Sequence, residues 1–463
     1  MPDDVFDPLR ARLRDIRPAR SVGQITALGR DHVRVTGLDR IAALGDRVRI
    51  GDALVGEVLR IDAQGCTVMP EGAPDGIRLG QPVTHLGPAS LSPHPGWLGR
   101  VIDPDGRPLD ERPLFPGPRA VPLLAPPPPP AQRRGLGQRL RTGFAVFDTL
   151  LPIVRGQRVG LFAGSGVGKS HLIAGLAQGI AADVVVIGLI GERGREVRDF
   201  VAETLGAGGL ARAVVVVATS DQPALTRARA AWAMMSVAEY FRDRGLHVLV
   251  LADSITRFAE AQREVAAAVG EPFGPSGFPA SMAQMVMALA ERAGPGGAGQ
   301  GDITAVLSVL VAGSDMEGPV ADVMRGVLDG HVLLSRDIAE RGRYPAIDLL
   351  RSVSRALPGA ASVEEGKLIQ RARQLLGAHD RTEMMIQAGL YAAGSDPVTD
   401  AAIAVWPALD AFVAAQGGAI PEESFVHLRG ILDAVDPDRR GTRAARAVFE
   451  DRPAPVRAAP GSP

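Results

Sequence analysis

Residues Gly160–Ser170 read GLFAGSGVGKS, and this stretch decides the fold. Its last eight residues, Ala163-Gly164-Ser165-Gly166-Val167-Gly168-Lys169-Ser170, keep the phosphate-loop spacing, with alanine in place of the first glycine. Small residues let successive backbone N–H groups converge on phosphate oxygens at a helix N-terminus, where the helix dipole adds positive potential. Lys169 brings a compact charge on a flexible stem to the β- and γ-phosphates, and Ser170 offers a hydroxyl to Mg²⁺. Alanine at 163 is tolerated if its φ is negative. The flanks agree with this reading rather than with a chance glycine turn: RVGLF is a strand entering the loop and HLIAGLAQGI a helix leaving it. Lys169 is one of two lysines among 51 basic residues, the other being Lys367. A planar guanidinium is too bulky and rigid to reach between phosphates, which accounts for a lysine here in a chain that otherwise uses arginine.

Two acids extend the motif. The strand from His247 to Ala252 runs into Asp253, which suits a carboxylate presented toward a Mg²⁺ shell. The strand VVVIGLI runs into Gly191-Glu192-Arg193-Gly194-Arg195-Glu196. Carboxyl ends of parallel strands line the ligand crevice, so Glu192 points to where an attacking water sits and where a carboxylate can deprotonate it. Charge statistics alone favour an ion pair between Glu192 and Arg193 or Arg195 instead.

Working outward, strand-like runs alternate with helical stretches from Gly156 to about Arg355, which implies an α/β core with a parallel sheet covered on both faces. The predicted organisation is an amphipathic helix over 1–20, a β-barrel over 21–95, the α/β core over 96–360, a helical domain over 361–450 and a disordered tail over 451–463. A Pro/Arg-rich connector, residues 123–143, lies within the core region and carries the chain between units. Formal net charge is −1 and the barrel segment has no Phe, Trp or Tyr, which argues against nucleic-acid binding. A single cysteine, Cys66, excludes an intramolecular disulfide and reads as a small buried hydrophobe. The start has no signal-peptide pattern and no later run approaches the roughly 18 apolar residues that span a bilayer, so the expected location is cytosolic.

At these residues the sequence resembles the rotary-type P-loop ATPases related to the α and β subunits of ATP synthase, and within them the flagellum-specific and type III secretion protein-export ATPases. The resemblance runs over about 21–430 and is carried by RGQRVGLFAGSGVGKS, VIGLIGERGREVRDF, DSITRFAEAQREVAAAVGEP and LLSRDIAERGRYPAIDLLRSVSR. It implies a RecA-like core, ATP and Mg²⁺ as substrate and cofactor, Lys169 and Ser170 on phosphate and metal, Asp253 supporting the metal, and Glu192 as general base, against the ion-pair reading. Tyr344 of RYPAID is implied to pack on adenine, a satisfied core tyrosine being the alternative. Arg193 and Arg257 are implied near the phosphates. Arg355 of SVSR resembles the arginine inserted into a neighbouring subunit's site, and one chain carrying both Glu192 and Arg355 implies a homohexamer. The implied partners are a stator-like regulator on the N-terminal helix, export gate and stalk proteins, export substrates and chaperones, with peripheral association at the inner membrane. The segment 271–299 departs from the family in lacking a more basic, proline-bearing loop. Competing readings are an injectisome ATPase, a synthase subunit and a hexameric RNA translocase.

Overall fold

The computed structural model describes residue 13 and residues 19–312 and 316–435. The predicted N-terminal helix, apart from Leu13 and residues 19–20, lies outside the described residues, as do residues 436–450 of the helical region and the tail.

Six strands, β1 (Val22–Leu28), β2 (Val33–Thr36), β3 (Asp46–Ile50), β4 (Leu54–Asp62), β5 (Gly65–Pro70) and β6 (Pro82–Pro88), close into a barrel in the order β1-β2-β5-β4-β3-β6. Period-two alternation sends Val33, Val35, Val48, Ile50, Val58 and Val83 inward, with polar residues between them outside. Cys66 is fully buried on β5, and burial pushes its thiol pKa up. Beyond the barrel, β7 (Ser90–Leu91) and β9 (Val121–Pro122) form a short ribbon around β8 (Arg100–Ile102).

The core sheet contains β8, β10 (Arg158–Ala163), β11 (Val184–Glu192), β12 (Ala213–Thr219), β13 (Val248–Asp253), β15 (Asp302–Leu310), β16 (Gly330–Leu334) and β17 (Ile347–Ser354). Their order is β17-β16-β10-β15-β13-β11-β12-β8, with β14 (Gly294–Pro295) pairing β15 to one side. Every pair is parallel except β16–β17 and β14–β15. Strands covered on both faces need apolar side chains on both, which is why β11 and β13 are buried almost throughout. The helix Ala224–Arg242 is buried nearly all round, its small alanines allowing close approach to the sheet.

Arginine holds these layers together. Arg229, on that helix, lies 2.7 Å from Glu71, 3.1 Å from Glu57 and 3.6 Å from Asp105, tying the barrel to the core. Arg292 forks onto Glu239 and also donates to the Leu123 carbonyl, which pins the start of the connector. Further along, Arg134 reaches Asp302 and Arg139 reaches Glu365. Several donors set in a rigid plane suit such buried, multiply bonded positions better than an ammonium does.

Helices Val363–Gln387, Pro397–Ala414 and Pro421–Asp433 form the C-terminal domain and pack on the short helix Ala145–Asp148. A capping box between Ser362 and Glu365 starts the first of them. Contrary to the sequence expectation, Pro397–Ala414 is long and apolar enough to cross a membrane by length and composition alone. Its Ala402, Val405, Leu409 and Phe412 are instead packed in the core, and Asp400 and Asp410 interrupt it, so it is a domain helix.

Candidate active site

A cavity of about 1300 Å³ opens at the carboxyl ends of β10 and β11. It is lined on one side by Gly164, Ser165, Gly166, Gly168, Lys169 and Ser170. Gly166 and Gly168 have φ of 78° and 83°, the left-handed region where a side chain is strained, and these turns aim the loop at the start of the helix Lys169–Gly179. Ala163 is buried at the end of β10, outside the cavity wall, and is absent from the positive-φ residues, which is why alanine serves there. Val167 is also buried and anchors the loop in the core.

Lys169, Glu192 and Asp253 come together at the floor. The lysine ammonium contacts the Asp253 carboxylate and lies 3.9 Å from Glu192 Oε1. Asp253 is buried, and its Oδ1 also accepts a 2.8 Å hydrogen bond from the Ser308 hydroxyl. Burial, reinforced by the neighbouring Asp253 charge and only partly offset by Lys169, pushes the Glu192 pKa up to about 7. The arginines that compete for Glu192 in the sequence pair elsewhere, Arg193 with Glu196 at 3.1 Å and Arg195 with Asp199 at 3.5 Å.

Arg193 and Arg257 both line the cavity, Arg257 held by Glu260 at 2.7 Å. Tyr344 is half exposed at the rim, and a Cβ on Gly168 would sit 3.0 Å from its ring, so the tyrosine closes over the loop's last glycine. Arg355 is not in this cavity. Its N–H donates to the Asp329 carbonyl, and the Asp329 carboxylate in turn accepts from the N–H of Arg158, the first residue of β10. The phosphate loop begins at the other end of the same strand, five residue steps of ~3.3 Å away, about 16 Å in all. A single copy therefore separates Arg355 from its own Lys169.

The rest of the lining includes residues to which the sequence assigns no role. Phe144, Ala414 and Gln416 form a further part of the wall, Phe144 bridging to Gln416 and its ring resting where a Cβ on Gly175 of the helix Lys169–Gly179 would lie. Ser220, Arg227 and Glu264 complete the outer part, Arg227 bonding both Glu264 oxygens. The glycine at 175 within an otherwise helical run is the one sequence signal for this wall, marking a close approach.

Among the described residues no group of three or more His, Cys, Asp or Glu is placed to hold a metal ion. Ser170 and Asp253 offer oxygens beside the phosphate loop, so a divalent ion bound there would take the rest of its coordination from phosphate oxygens and water, as small hard cations at phosphate sites do.

A phosphate loop on a central parallel strand, a buried aspartate on β13 and a carboxylate of raised pKa on β11 define a P-loop ATPase with a RecA-like core. The chain matches the ATP synthase alpha/beta family, nucleotide-binding domain, over residues 143–354, and the T3SS EscN ATPase C-terminal domain over residues 361–417. It is 44% identical over 416 residues to the flagellum-specific ATP synthase of Caulobacter vibrioides, covering 88% of this chain and 94% of that protein. It is also 44% identical over 412 residues to the type 3 secretion system ATPase of Pseudomonas savastanoi pv. phaseolicola, covering 86% and 90%. The structure of assembled EscN in complex with its central stalk EscO, from enteropathogenic E. coli, aligns with a TM-score of 0.80 at 36% identity, covering 89% of this chain and all of that one. The chain belongs to the ATP synthase alpha/beta family, in the group that includes the flagellum-specific and type 3 secretion ATPases.

Proposed function

We propose that the chain hydrolyses ATP with Mg²⁺ as the homohexameric motor of a flagellar-type protein-export apparatus, acting from the cytoplasm at the inner membrane. The observation that carries this reading is the meeting of Lys169, Glu192 and Asp253 at one floor, with Arg355 held at the far end of β10.

Backbone N–H groups at the start of the helix Lys169–Gly179 bind the phosphates, and the Lys169 ammonium moves from Asp253 to the β- and γ-oxygens. Ser170 and Asp253 would hold the Mg²⁺ ion, which would supply positive charge to offset that on the phosphates. Glu192 accepts a proton from a water whose oxygen bonds to the γ-phosphorus as the bond to the bridging oxygen breaks, releasing ADP and phosphate. Tyr344 packs on the base. Arg193 and Arg257 add positive potential around the phosphates once a nucleotide draws them from their glutamates. Arg355 reaches the γ-phosphate of a neighbouring copy, a contact that its position excludes within one chain.

The assembled relative with a central stalk supports a ring that turns on or grips a stalk protein. Substrates, chaperones, an export gate and a stator-like regulator bound at residues 1–20 are its further partners. A deletion strain complemented with Lys169→Ala tests the use of the hydrolysis: motility and secretion of flagellar components are lost, with the protein still produced. Full motility with Lys169→Ala overturns the reading. The equal 44% identity to a type 3 secretion ATPase carries a second reading, an injectisome motor, which loss of effector secretion with motility intact supports.

A further inference from the structure

Strand β15 lies between β10, which ends in the phosphate loop, and β13, which ends in Asp253. Its Ser308 is fully buried and sits in register with Leu161 of β10, one position beyond the last β13–β15 pair, Ala252 with Leu307. Apolar residues surround it on the strand, in the run AVLSVL. A hydroxyl in such a strand satisfies itself at low cost with one good acceptor, and here the acceptor is Asp253 Oδ1 at 2.8 Å.

That oxygen has two donors, Ser308 and the Lys169 ammonium. They differ in what a nucleotide does to them. Lys169 sits on a flexible stem in the cavity wall and is drawn to phosphate. Ser308 is fixed by backbone pairing with Leu161 of β10, its neighbour Leu307 is paired on the other side with Ala252 of β13, and Leu310 is further locked by a bond to the Thr256 hydroxyl on the helix that follows Asp253. When the lysine leaves, the serine is the donor that stays, and a buried carboxylate with a single fixed donor keeps one plane and one orientation.

We propose that Ser308 is a positioning residue for the metal-facing carboxylate: by occupying Asp253 Oδ1 it turns Oδ2 toward the cation once Lys169 has moved to phosphate. This rests on the reading of Asp253 as the residue that supports Mg²⁺. Outer partners of metal-supporting carboxylates typically contribute roughly 10- to 100-fold to metal affinity.

The test uses Ser308→Thr and Ser308→Val, which have the same shape and differ only in the hydroxyl, in the full-length chain with ADP bound. Free Mn²⁺ is titrated and read by electron paramagnetic resonance, and binding of a fluorescent ADP analogue is measured in EDTA. Ser308→Val raises the apparent Mn²⁺ dissociation constant about tenfold or more over Ser308→Thr, while the two bind the analogue equally in EDTA. Equal Mn²⁺ affinity for the two variants overturns the proposal, as does a loss of analogue binding in EDTA confined to Ser308→Val. Asp253→Asn separates the layers: if it leaves Mn²⁺ binding unchanged, the underlying assignment of Asp253 fails, and if it abolishes binding while the Thr and Val variants match, only the role of Ser308 fails.

Discussion

In the proposed reaction Glu192 is the base, and burial is what suits it to that role. Its carboxyl is withdrawn from water and faces the Asp253 charge, so its pKa rises from the ordinary 4.5 to about 7, where it can take a proton yet be ionised in half the molecules. Turnover should therefore climb as the pH rises from 6 to 8, with a midpoint near 7 in the pH–rate profile. The folded chain also holds this proton more tightly than the unfolded one. The stability linked to it is complete below about pH 4.5 and is lost as the pH rises through 7. Glu192→Gln should bind nucleotide, lose hydrolysis by roughly 10²- to 10⁴-fold, and melt at a higher temperature than the wild type at pH 8 but not at pH 5. A flat pH–rate profile or retained hydrolysis in the variant counts against the assignment. At this scale the sequence reads unevenly. Lys169 and Ser170 are legible because a fixed spacing encodes them. Glu192 is ambiguous until folding turns Arg193 and Arg195 toward Glu196 and Asp199, a choice that the run GERGRE does not contain. Ser308 leaves no trace, since one serine in an apolar strand looks like any other.

The element that presents Glu192 is the end of β11, and its geometry depends on Gly191. That residue has φ of 70°, and a Cβ there would lie 2.8 Å from the Cβ of Arg257. Gly191→Ala is expected to shift Glu192 and Arg257 together. A misplacement of about 1 Å can cost on the order of 10²-fold in rate, so kcat should fall steeply with nucleotide affinity little changed, as measured by steady-state kinetics beside equilibrium binding. A variant with normal kcat would show that the strand end tolerates the side chain. Strands β10–β13 and β15 were readable as apolar runs because both faces are covered. The three-residue β8 was not, since its place at the sheet edge comes from pairing with β12, a contact of high sequence separation. Nor was the antiparallel direction of β17, because antiparallel pairing with β16 leaves no mark on composition. The wall built from Phe144, Ala414 and Gln416 joins residues some 270 apart, which no local pattern anticipates.

Across the whole molecule, Lys169 lies beyond the carboxyl end of β10 while Arg355 is tied through Asp329 to Arg158 at the strand's start. Arg355→Ala should still assemble but hydrolyse roughly 10³- to 10⁵-fold more slowly. Mixed with Glu192→Gln, it should regain activity, since interfaces pairing an intact Glu192 with an intact Arg355 then exist; the check is ATPase activity of the mixture against each variant alone. No gain on mixing, with mixed assemblies verified by mass, would place the arginine's action elsewhere. The domain order, barrel then core then helices, was readable from the changing periodicity of the chain, whereas the bond of Arg229 to Glu57 and Glu71 that joins the first two was not. The separation of Arg355 from Lys169 has a further consequence. On this reading each contact between copies completes one site, so an open arc always holds one site fewer than it has chains, and an isolated chain holds none. Dilution alone would then silence the enzyme, and assembly would switch it on without any inhibitor, confining ATP consumption to wherever copies are gathered.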